Sequence, residues 1–434
     1  MQTPDSEEEK ESQKSEEQRY DEIELISQGS YGCVFRPDVP CTNDSKPNKK
    51  YISKIQIDDL NSKNEVVIGE QIKTIPLYYL HFSPILNKCV VSIQQLSKTQ
   101  VDKCSILKEF DSAKSELIST KIKYVGNKNI EEYFLSLPQP ELTQEPTQEP
   151  TQEPTQEPTQ EPTQEPTPEP TQEPTQEPTP EPTPEPTPKQ EKPQKMPPNV
   201  YKSKLLYCFY YVLQSAKILN EKGVIHFDIK ERNIMYDEYI QAPLLIDFGL
   251  SFIPQNISPE KISSIFYTKR VYPYWCIEIY MLCYIVNRTT EEIIDETAKL
   301  SPSDFDLKNE NATKTKIEEL LNTYQEEMIM FFGKYMDKQF TKEEIETYIS
   351  ALKTNFAIYE GTSWTENVYK ELFKPELYNT WDIYSIAITF SCILNSHLTK
   401  ENMEDYAPFI QILKSILLSP LHERPTYTKV MEML

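Results

Sequence analysis

Two short stretches carry the strongest pattern in this sequence. Residues 224–235 read VIHFDIKERNIM, and residues 246–250 read IDFGL. Before them, apolar residues recur at three- and four-residue steps from Leu205 to Leu219, which predicts a helix that ends near Gly223. The polar residues that stand at fixed spacing within the two stretches are Asp228, Lys230, Asn233 and Asp247.

In order and spacing, these stretches resemble the catalytic loop and the D-F-G motif of eukaryotic-type serine/threonine protein kinases. The resemblance implies an α+β, bilobal protein-kinase fold. One lobe would be a small antiparallel β-sheet with one long helix, and the other would be mostly helical. It also implies transfer of the γ-phosphate of ATP, with Asp228 as catalytic base and Lys230 at the transferring phosphate. Asn233 and Asp247 would hold Mg²⁺ through oxygen ligands.

Residues 26–35, ISQGSYGCVF, resemble the family's glycine-rich loop over the nucleotide. The whole chain has eight glycines, and two of them lie three residues apart here. Glycine has no Cβ and so lets the backbone approach a phosphate closely. Ser27 replaces the family's first glycine. The residues predicted to bind ATP here are Ile26, Ser27, Gln28, Gly29, Ser30, Tyr31, Gly32, Cys33 and Val34.

Lys54 occupies the position of the strand lysine that binds the α- and β-phosphates in the family. Its helical partner is predicted to be Glu65, because apolar residues at +3, +7 and +10 place Glu65 on the buried face of the helix. Glu70 is the alternative partner, but its neighbours suggest a solvent-facing position. Residues 121–126, KIKYVG, resemble the hinge that reads adenine through the backbone.

Further matches lie towards the end of the chain. Asp382 resembles the aspartate that supports the catalytic-loop backbone, and Arg424 resembles an arginine that pairs with a glutamate ending the activation segment. Glu278 is the candidate partner, although the family's A-P-E motif is otherwise absent. Phe227 replaces the arginine that normally binds a phosphate on that segment. We therefore expect activity that does not depend on activation-segment phosphorylation.

The predicted organisation places a disordered acidic tail at 1–21 and a kinase domain at 22–434. Within the domain we expect an N-lobe at 22–126, and a C-lobe at 127–137 and 199–434. The C-lobe carries a helical insertion at 285–380, and a low-complexity insertion at 138–198 lies between its two parts.

A four-residue T-Q-E-P or T-P-E-P unit repeats from Thr143 to Thr187. The repeat has no apolar face and repels itself, which predicts an extended coil. It is interpreted as a solvated spacer, with a docking or phosphorylated segment for a partner protein as the alternative.

The chain has 434 residues, with 45 Lys and Arg against 68 Asp and Glu. This excess of negative charge argues against non-specific nucleic-acid binding, which needs cations to neutralise phosphates. No apolar run is long enough to cross a membrane, and the charged first twenty residues do not form a signal peptide.

Eight cysteines show no C-x-x-C pair and no zinc-ligand spacing, and they are predicted to be reduced thiols. The expected location is therefore intracellular and cytoplasmic. The divergent details and the repeat are most similar to protein kinases of large DNA viruses, for which the location would be the host cytoplasm or the virion.

The function expected from these features is an ATP- and Mg²⁺-dependent serine/threonine protein kinase that phosphorylates hydroxyls of protein substrates. Two alternatives remain open: a pseudokinase scaffold, and a small-molecule kinase of the same fold. Lys54, Asp228 and Asp247 argue against the first alternative. Lys230 and the late arginine motif favour a protein substrate over the second.

Overall fold

The computed structural model describes residues 23–29, 32–41, 46–111, 115–138, 198–257, 265–266, 272–283, 310–356 and 371–434. Residues 1–137 and 199–434 belong to one compact unit. Residues 138–198 group as a separate unit, nearly all of it beyond the described ranges. The predictions for the acidic tail, for the repeat and for the loop tip at Ser30 and Tyr31 also fall outside them.

The N-terminal part is a five-stranded antiparallel sheet in the order β1-β2-β3-β5-β4. One helix of 14 residues, α1, crosses from β3 towards β4. Its first turn is fixed by a capping box, in which Asp59 accepts from the Ser62 backbone at 2.8 Å and Ser62 accepts in return at 3.0 Å. The bounds are β1 Glu24–Gly29, β2 Gly32–Arg36, β3 Tyr51–Ile57, α1 Leu60–Lys73, β4 Ile85–Val91, α2 Lys98–Lys103, α3 Ser105–Lys108 and β5 Leu117–Lys123.

The rest of the compact unit is mostly helical, with one short antiparallel hairpin, β6–β7. The bounds are α4 Ile130–Ser136, α5 Pro198–Glu221, β6 Ile234–Asp237, β7 Ala242–Leu245, α6 Glu310–Tyr335, α7 Lys342–Phe356, α8 Pro375–Tyr378, α9 Trp381–His397, α10 Met403–Leu417 and α11 Tyr427–Met433. A small antiparallel N-terminal sheet followed by a mostly helical region confirms that much of the predicted fold class.

Two apolar clusters organise these elements. The larger one joins the buried faces of α5, α9 and α10 and also takes in Ile68, Ile72 and Phe82 from the N-terminal part. The smaller one lies on the N-terminal sheet and contains Phe35 and Ile55. Helix α1 therefore packs on the same core as the C-terminal helices, and its position is coupled to theirs.

The predicted helical insertion at 285–380 is helical in the part that the structure describes. Helices α6 and α7 pack against the C-terminal helices, with Gln339 donating to the Ser391 carbonyl at 2.7 Å and Lys414 bonding Glu344 at 2.6 Å. Residues 284–309 and 357–370 lie outside the described ranges. Among the described residues, no helix has both the length and the apolar character needed to span a bilayer.

Candidate active site

The β6–β7 hairpin brings two predicted metal-binding residues to one end of the helical part. Ile234 pairs with Leu245 in the hairpin, so Asn233 and Ile246 are the residues just beyond its open end. The Ile246 amide donates to the Asn233 carbonyl at 3.0 Å. Asp247 follows at once, with a left-handed backbone at φ 58°. Antiparallel register therefore places Asn233 and Asp247 at the same end of the hairpin.

Asp228 is held at the centre of a hydrogen-bonded cluster and is 7% exposed. Lys230 Nζ contacts its two carboxylate oxygens at 3.0 and 2.8 Å, and Asn233 Nδ2 donates to Oδ2 at 2.9 Å. Tyr272 Oη donates to Oδ1 at 3.1 Å. Asn233 Nδ2 also bonds the Asp228 carbonyl at 2.8 Å. The orientation of this carboxylate is thus set by three side chains.

Asp382, in the first turn of α9, supports the loop that carries Asp228. Its carboxylate accepts from the backbone amides of His226 at 2.8 Å and Phe227 at 2.9 Å. Burial raises the pKa of Asp382, and the two amides together with His226 partly offset that increase. Since Phe227 has a left-handed backbone at φ 69°, these bonds hold a conformation that L-residues rarely adopt.

Lys54 on β3 connects the sheet, helix α1 and the hairpin end. Its Nζ lies 3.0 Å from Glu65 Oε2 and 3.1 Å from Asp247 Oδ1. Gln56 also donates to Glu65 at 3.3 Å. Glu70 points elsewhere and bonds Lys73 at 2.7 Å on the exposed side of α1. The structure thus pairs Lys54 with Glu65, the partner that helical phase favours.

Lys54 and Asp247 stabilise each other's charge at this junction, whereas burial, together with the negative charge of Asp247, raises the pKa of Glu65. Burial lowers the pKa of the Lys54 ammonium, but the negative charges of Asp247 and Glu65 outweigh burial and raise the pKa above its ordinary value. For Asp247, the surrounding protein removes part of the hydration of the carboxylate and favours its neutral form, but the attraction of Lys54, with contributions from His226 and Lys230, is stronger and lowers the pKa. The ammonium and the Asp247 carboxylate are therefore both charged near neutral pH.

Asp247 and Asn233 offer the oxygen ligands that suit a hard cation. The Asp247 side chain is 45% exposed, so its carboxylate is accessible while one oxygen contacts Lys54. The Asn233 amide nitrogen is used by Asp228, which leaves the amide oxygen for a ligand. No group of three or more His, Cys, Asp and Glu suited to a metal occurs in the described ranges. Asn233 and Asp247 are thus the residues at this end of the hairpin that could hold such a cation.

The glycine-rich segment forms the β1–β2 hairpin, in which Gly29 pairs with Gly32. Ile26, Ser27 and Gln28 are exposed, and Val34 pairs with Lys54 on β3. At Gly32 an added Cβ would lie 2.8 Å from the Ile55 carbonyl oxygen. The glycine is thus required by close packing on β3, in addition to any approach to a phosphate.

Cys33, which is predicted to line the nucleotide site, does not present its side chain to the face that carries Lys54. Residues paired across strands project to the same face, so Val34 and Lys54 share a face and Cys33 projects to the other. Cys33 is fully buried and forms a disulfide with Cys104. Only the Cys33 backbone can contribute to a nucleotide site.

The prediction that all eight cysteines are reduced thiols is wrong. Cys33 bonds Cys104, and Cys41 bonds Cys89. The partners are 71 and 48 residues apart in sequence, and it is the sheet and its flanking helices that bring them together. Spacing motifs such as C-x-x-C detect only cysteines that are close in sequence, so they do not reveal these disulfides.

Phe227, which stands in place of an arginine, lies within a cluster of aromatic rings. Trp275 stacks on it at 4.6 Å between ring centroids, and Phe252, Phe266 and Trp381 surround it at 5.1 to 6.0 Å. Trp275 Nε1 also donates to the Phe227 carbonyl at 2.7 Å. Apolar packing therefore holds the loop that carries Asp228 at this position, in keeping with the absence of the arginine from the sequence.

Three contacts of the site could not be read from the sequence. They are the hydroxyl of Tyr272 on Asp228, the amide of Gln56 on Glu65, and the bond from Ser251 Oγ to the His226 carbonyl at 3.0 Å. The contacts of Tyr272 and Ser251 join segments 44 and 25 residues apart in the chain, and the contact of Gln56 joins strand β3 to helix α1. The sequence signal nearest to these contacts is the group of aromatic residues Tyr272, Tyr274 and Trp275.

The segment that resembles the hinge begins in the last residues of β5 and continues into the connection to α4. The Tyr124 amide donates to the Lys50 carbonyl at 2.9 Å, and the Arg36 guanidinium lies 3.5 Å from the Tyr124 ring centroid. The Ser83 hydroxyl bonds the Lys123 carbonyl at 2.9 Å. The segment is thus fixed to the sheet on one side and leads directly to the helical part.

Comparison of the chain with models of known protein families gives no match, and comparison with curated proteins gives none either.

Proposed function

We propose that this protein is an ATP-dependent serine/threonine protein kinase with the bilobal fold of that family. The single observation that carries the proposal is the position of Lys54, which contacts Glu65 and Asp247 together. In protein kinases both the strand lysine–helix glutamate pair and the D-F-G aspartate must be in place for transfer.

The clustering of Asp228, Lys230 and Asn233 beside that junction supports the same conclusion. Asp228 is held by neighbouring donors with its carboxylate oriented, as a group that takes a proton from an attacking hydroxyl must be. Lys230 contributes positive charge where negative charge develops on the transferred phosphoryl group. Phosphoryl transfer needs this positioning and charge neutralisation more than covalent participation by the protein.

In the proposed reaction, the hydroxyl oxygen of a serine or threonine forms a bond to the γ-phosphorus of ATP as the bond from that phosphorus to the β,γ-bridging oxygen breaks. ADP leaves with the electron pair of the broken bond, and the hydroxyl proton passes to Asp228. Lys54, oriented by Glu65, would bind the α- and β-phosphates. Asn233 and Asp247 would hold Mg²⁺, which when bound neutralises phosphate charge. Gly29, Gly32 and the exposed residues of β1 would cover the nucleotide.

The test is transfer of radiolabelled γ-phosphate to a generic protein substrate such as casein, with ATP and Mg²⁺. We expect Asp228→Asn to lower the rate about 10²- to 10⁴-fold, the range typical of general-base loss. Asp102→Asn, an exposed substitution on α2, is the matched control and should transfer at the wild-type rate. EDTA should stop the reaction.

The same assay separates the alternatives. A pseudokinase would show ATP-dependent thermal stabilisation with no transfer to any acceptor. A small-molecule kinase would consume ATP in the presence of a low-molecular-weight alcohol acceptor and leave protein substrates unlabelled. Either result would overturn the proposal of a protein kinase.

A further inference from the structure

A tyrosine hydroxyl is already hydrogen-bonded to the carboxylate that we propose as the catalytic base. Tyr272 Oη donates to Asp228 Oδ1 at 3.1 Å, and its ring packs edge-on against Trp275 at 5.1 Å between centroids. The Trp275 amide donates to the Tyr272 carbonyl at 2.8 Å. Trp275 is itself bonded to the Phe227 carbonyl. The phenol is therefore positioned from two sides, by its own backbone turn and by the catalytic loop.

The position of this hydroxyl is the one that an acceptor must take. If Asp228 is the base of the proposed reaction, a substrate hydroxyl has to donate a hydrogen bond to the same carboxylate before it attacks. Lys230, which would stabilise the transferred group, contacts Asp228 as well and lies 5.9 Å from the centre of the Tyr272 ring. Tyr272 thus has the donor contact and the nearby cation that transfer requires.

We propose that Tyr272 is a site of self-phosphorylation, accepting the γ-phosphate of ATP within its own molecule. This inference rests on the proposed kinase function. The phenolic oxygen forms a bond to the γ-phosphorus as the bond from that phosphorus to the β,γ-bridging oxygen breaks. ADP leaves with the electron pair of the broken bond, and the phenolic proton passes to Asp228.

The contact with Asp228 favours this acceptor over a tyrosine of another molecule. A hydroxyl held on the base reacts at the high effective concentration of an intramolecular group, so little further ordering is needed. Burial and the negative charges of Asp228 and Glu231 raise the pKa of Tyr272, so the phenol is protonated and needs the base.

The modification should occur once in each molecule. A phosphotyrosine carries about −1.5 to −2 charges at neutral pH and cannot remain against the Asp228 carboxylate. Like-charge repulsion would move the ring away from the acceptor position after transfer. Tyr274, two residues along, bonds Glu231 at 2.5 Å instead of Asp228, so it should not be modified.

The experiment uses full-length protein that has been treated with phosphatase and then incubated with ATP and Mg²⁺. Intact mass and peptide mapping count and locate the phosphates. We expect one phosphate on Tyr272, added with a rate constant that stays the same over an about 100-fold range of protein concentration, as an intramolecular step requires. Tyr274→Phe is the matched control and should gain the same phosphate, whereas Tyr272→Phe and Asp228→Asn should gain none at this position.

Every other result would overturn one or both of the proposals. Transfer to casein without phosphate on Tyr272 overturns the inference and leaves the proposed kinase function standing. A modification rate that rises in proportion to protein concentration shows transfer between molecules and also overturns it. Absence of transfer to casein and to the protein itself overturns both proposals. The wild-type mass measurement decides among these results even if a variant fails to fold.

Discussion

Glu278 and Arg424 lie 146 residues apart in the sequence and form an ion pair that solvent does not reach. The nitrogen–oxygen distances are 2.9 and 3.0 Å, and both side chains are 0% exposed. Arg424 also donates to the Thr380 hydroxyl at 2.9 Å, just before helix α9 begins. The pair therefore ties the segment after Trp275 to the end of the chain.

Removing one partner of this pair should destabilise the fold strongly. Arg424→Met leaves a carboxylate buried without a cation, for which a loss of about 3–5 kcal/mol is expected. Urea unfolding measures the change. Lys429→Met, which breaks an exposed pair with Glu432 at 3.4 Å, is the control and should change stability by at most about 0.5 kcal/mol. Equal unfolding midpoints for the two variants would refute the structural role of the buried pair.

The pairing of Lys54 with Glu65 makes a prediction about activity. Glu65→Gln removes a charged hydrogen bond worth about 1.5–3 kcal/mol, so transfer to casein should fall about 10- to 100-fold. Glu70→Gln changes the same residue type on the same helix, but on its exposed side, and should leave the rate unchanged. The assignment would be wrong if the Glu70 variant lost more activity than the Glu65 variant.

His81 should make stability depend on pH. Its Nδ1 lies 2.9 Å from Ser215 Oγ, its ring stacks on Tyr211, and burial lowers its pKa below the ordinary value. The unfolded chain then binds a proton more readily than the folded chain, so stability is present above pH of about 6.5 and falls as the pH decreases.

Thermal unfolding of wild type, His81→Gln and His422→Gln between pH 7.5 and 5 checks this prediction. The His81 variant should lose less stability on acidification than wild type, because the group that titrates is gone. His422 is exposed, so its variant should follow wild type. His397 also has a pKa lowered by burial, so a smaller acid effect should remain. An unchanged acid slope in the His81 variant would contradict the prediction.

The two disulfides should stabilise the N-terminal sheet when they are formed. Each closes a long loop, for which about 2–4 kcal/mol is typical. Peptide mapping without reduction should recover Cys33 joined to Cys104 and Cys41 joined to Cys89. Adding dithiothreitol should then lower the unfolding temperature. Recovery of all four as alkylated thiols from unreduced protein would exclude the bridges.

Removing one disulfide by mutation separates its contribution to stability from other effects of dithiothreitol on the protein. Cys41→Ser with Cys89→Ser should unfold at lower urea concentration than wild type under non-reducing conditions and at a similar concentration when both proteins are reduced. Cys392→Ser changes a cysteine that is not in a disulfide and serves as the control.

The features that sequence patterns predict concern residues that are close together in sequence or on one face of a helix. Asp228, Lys230 and Asn233 are close together in sequence, and the phase of α1 was enough to prefer Glu65 over Glu70. The coarse fold followed from strand-like runs near the start of the chain and helical periodicity towards its end. In each case the interactions that determine the structure act between residues close in sequence, so a local sequence pattern is enough to predict it.

The features that the sequence did not predict are contacts between segments that only the folded structure brings together. Tyr272 reaches Asp228 across 44 residues, and Cys33 reaches Cys104 across 71. The side to which Cys33 points is set by strand pairing, which a motif match does not include. The need for glycine at position 32 likewise comes from the neighbouring strand, where the Ile55 carbonyl leaves no room for a Cβ.

The aromatic surroundings of Phe227 limit which side chains this position can accept. An arginine at this position would have to place a guanidinium among four rings that offer it no carboxylate or phosphate, and an isolated buried cation is costly. Replacing Phe227 alone by arginine would therefore destabilise the fold. A charged side chain fits this position only if Trp275, Phe252 and Phe266 are replaced with it, so the aromatic cluster limits which single substitutions the loop can accept.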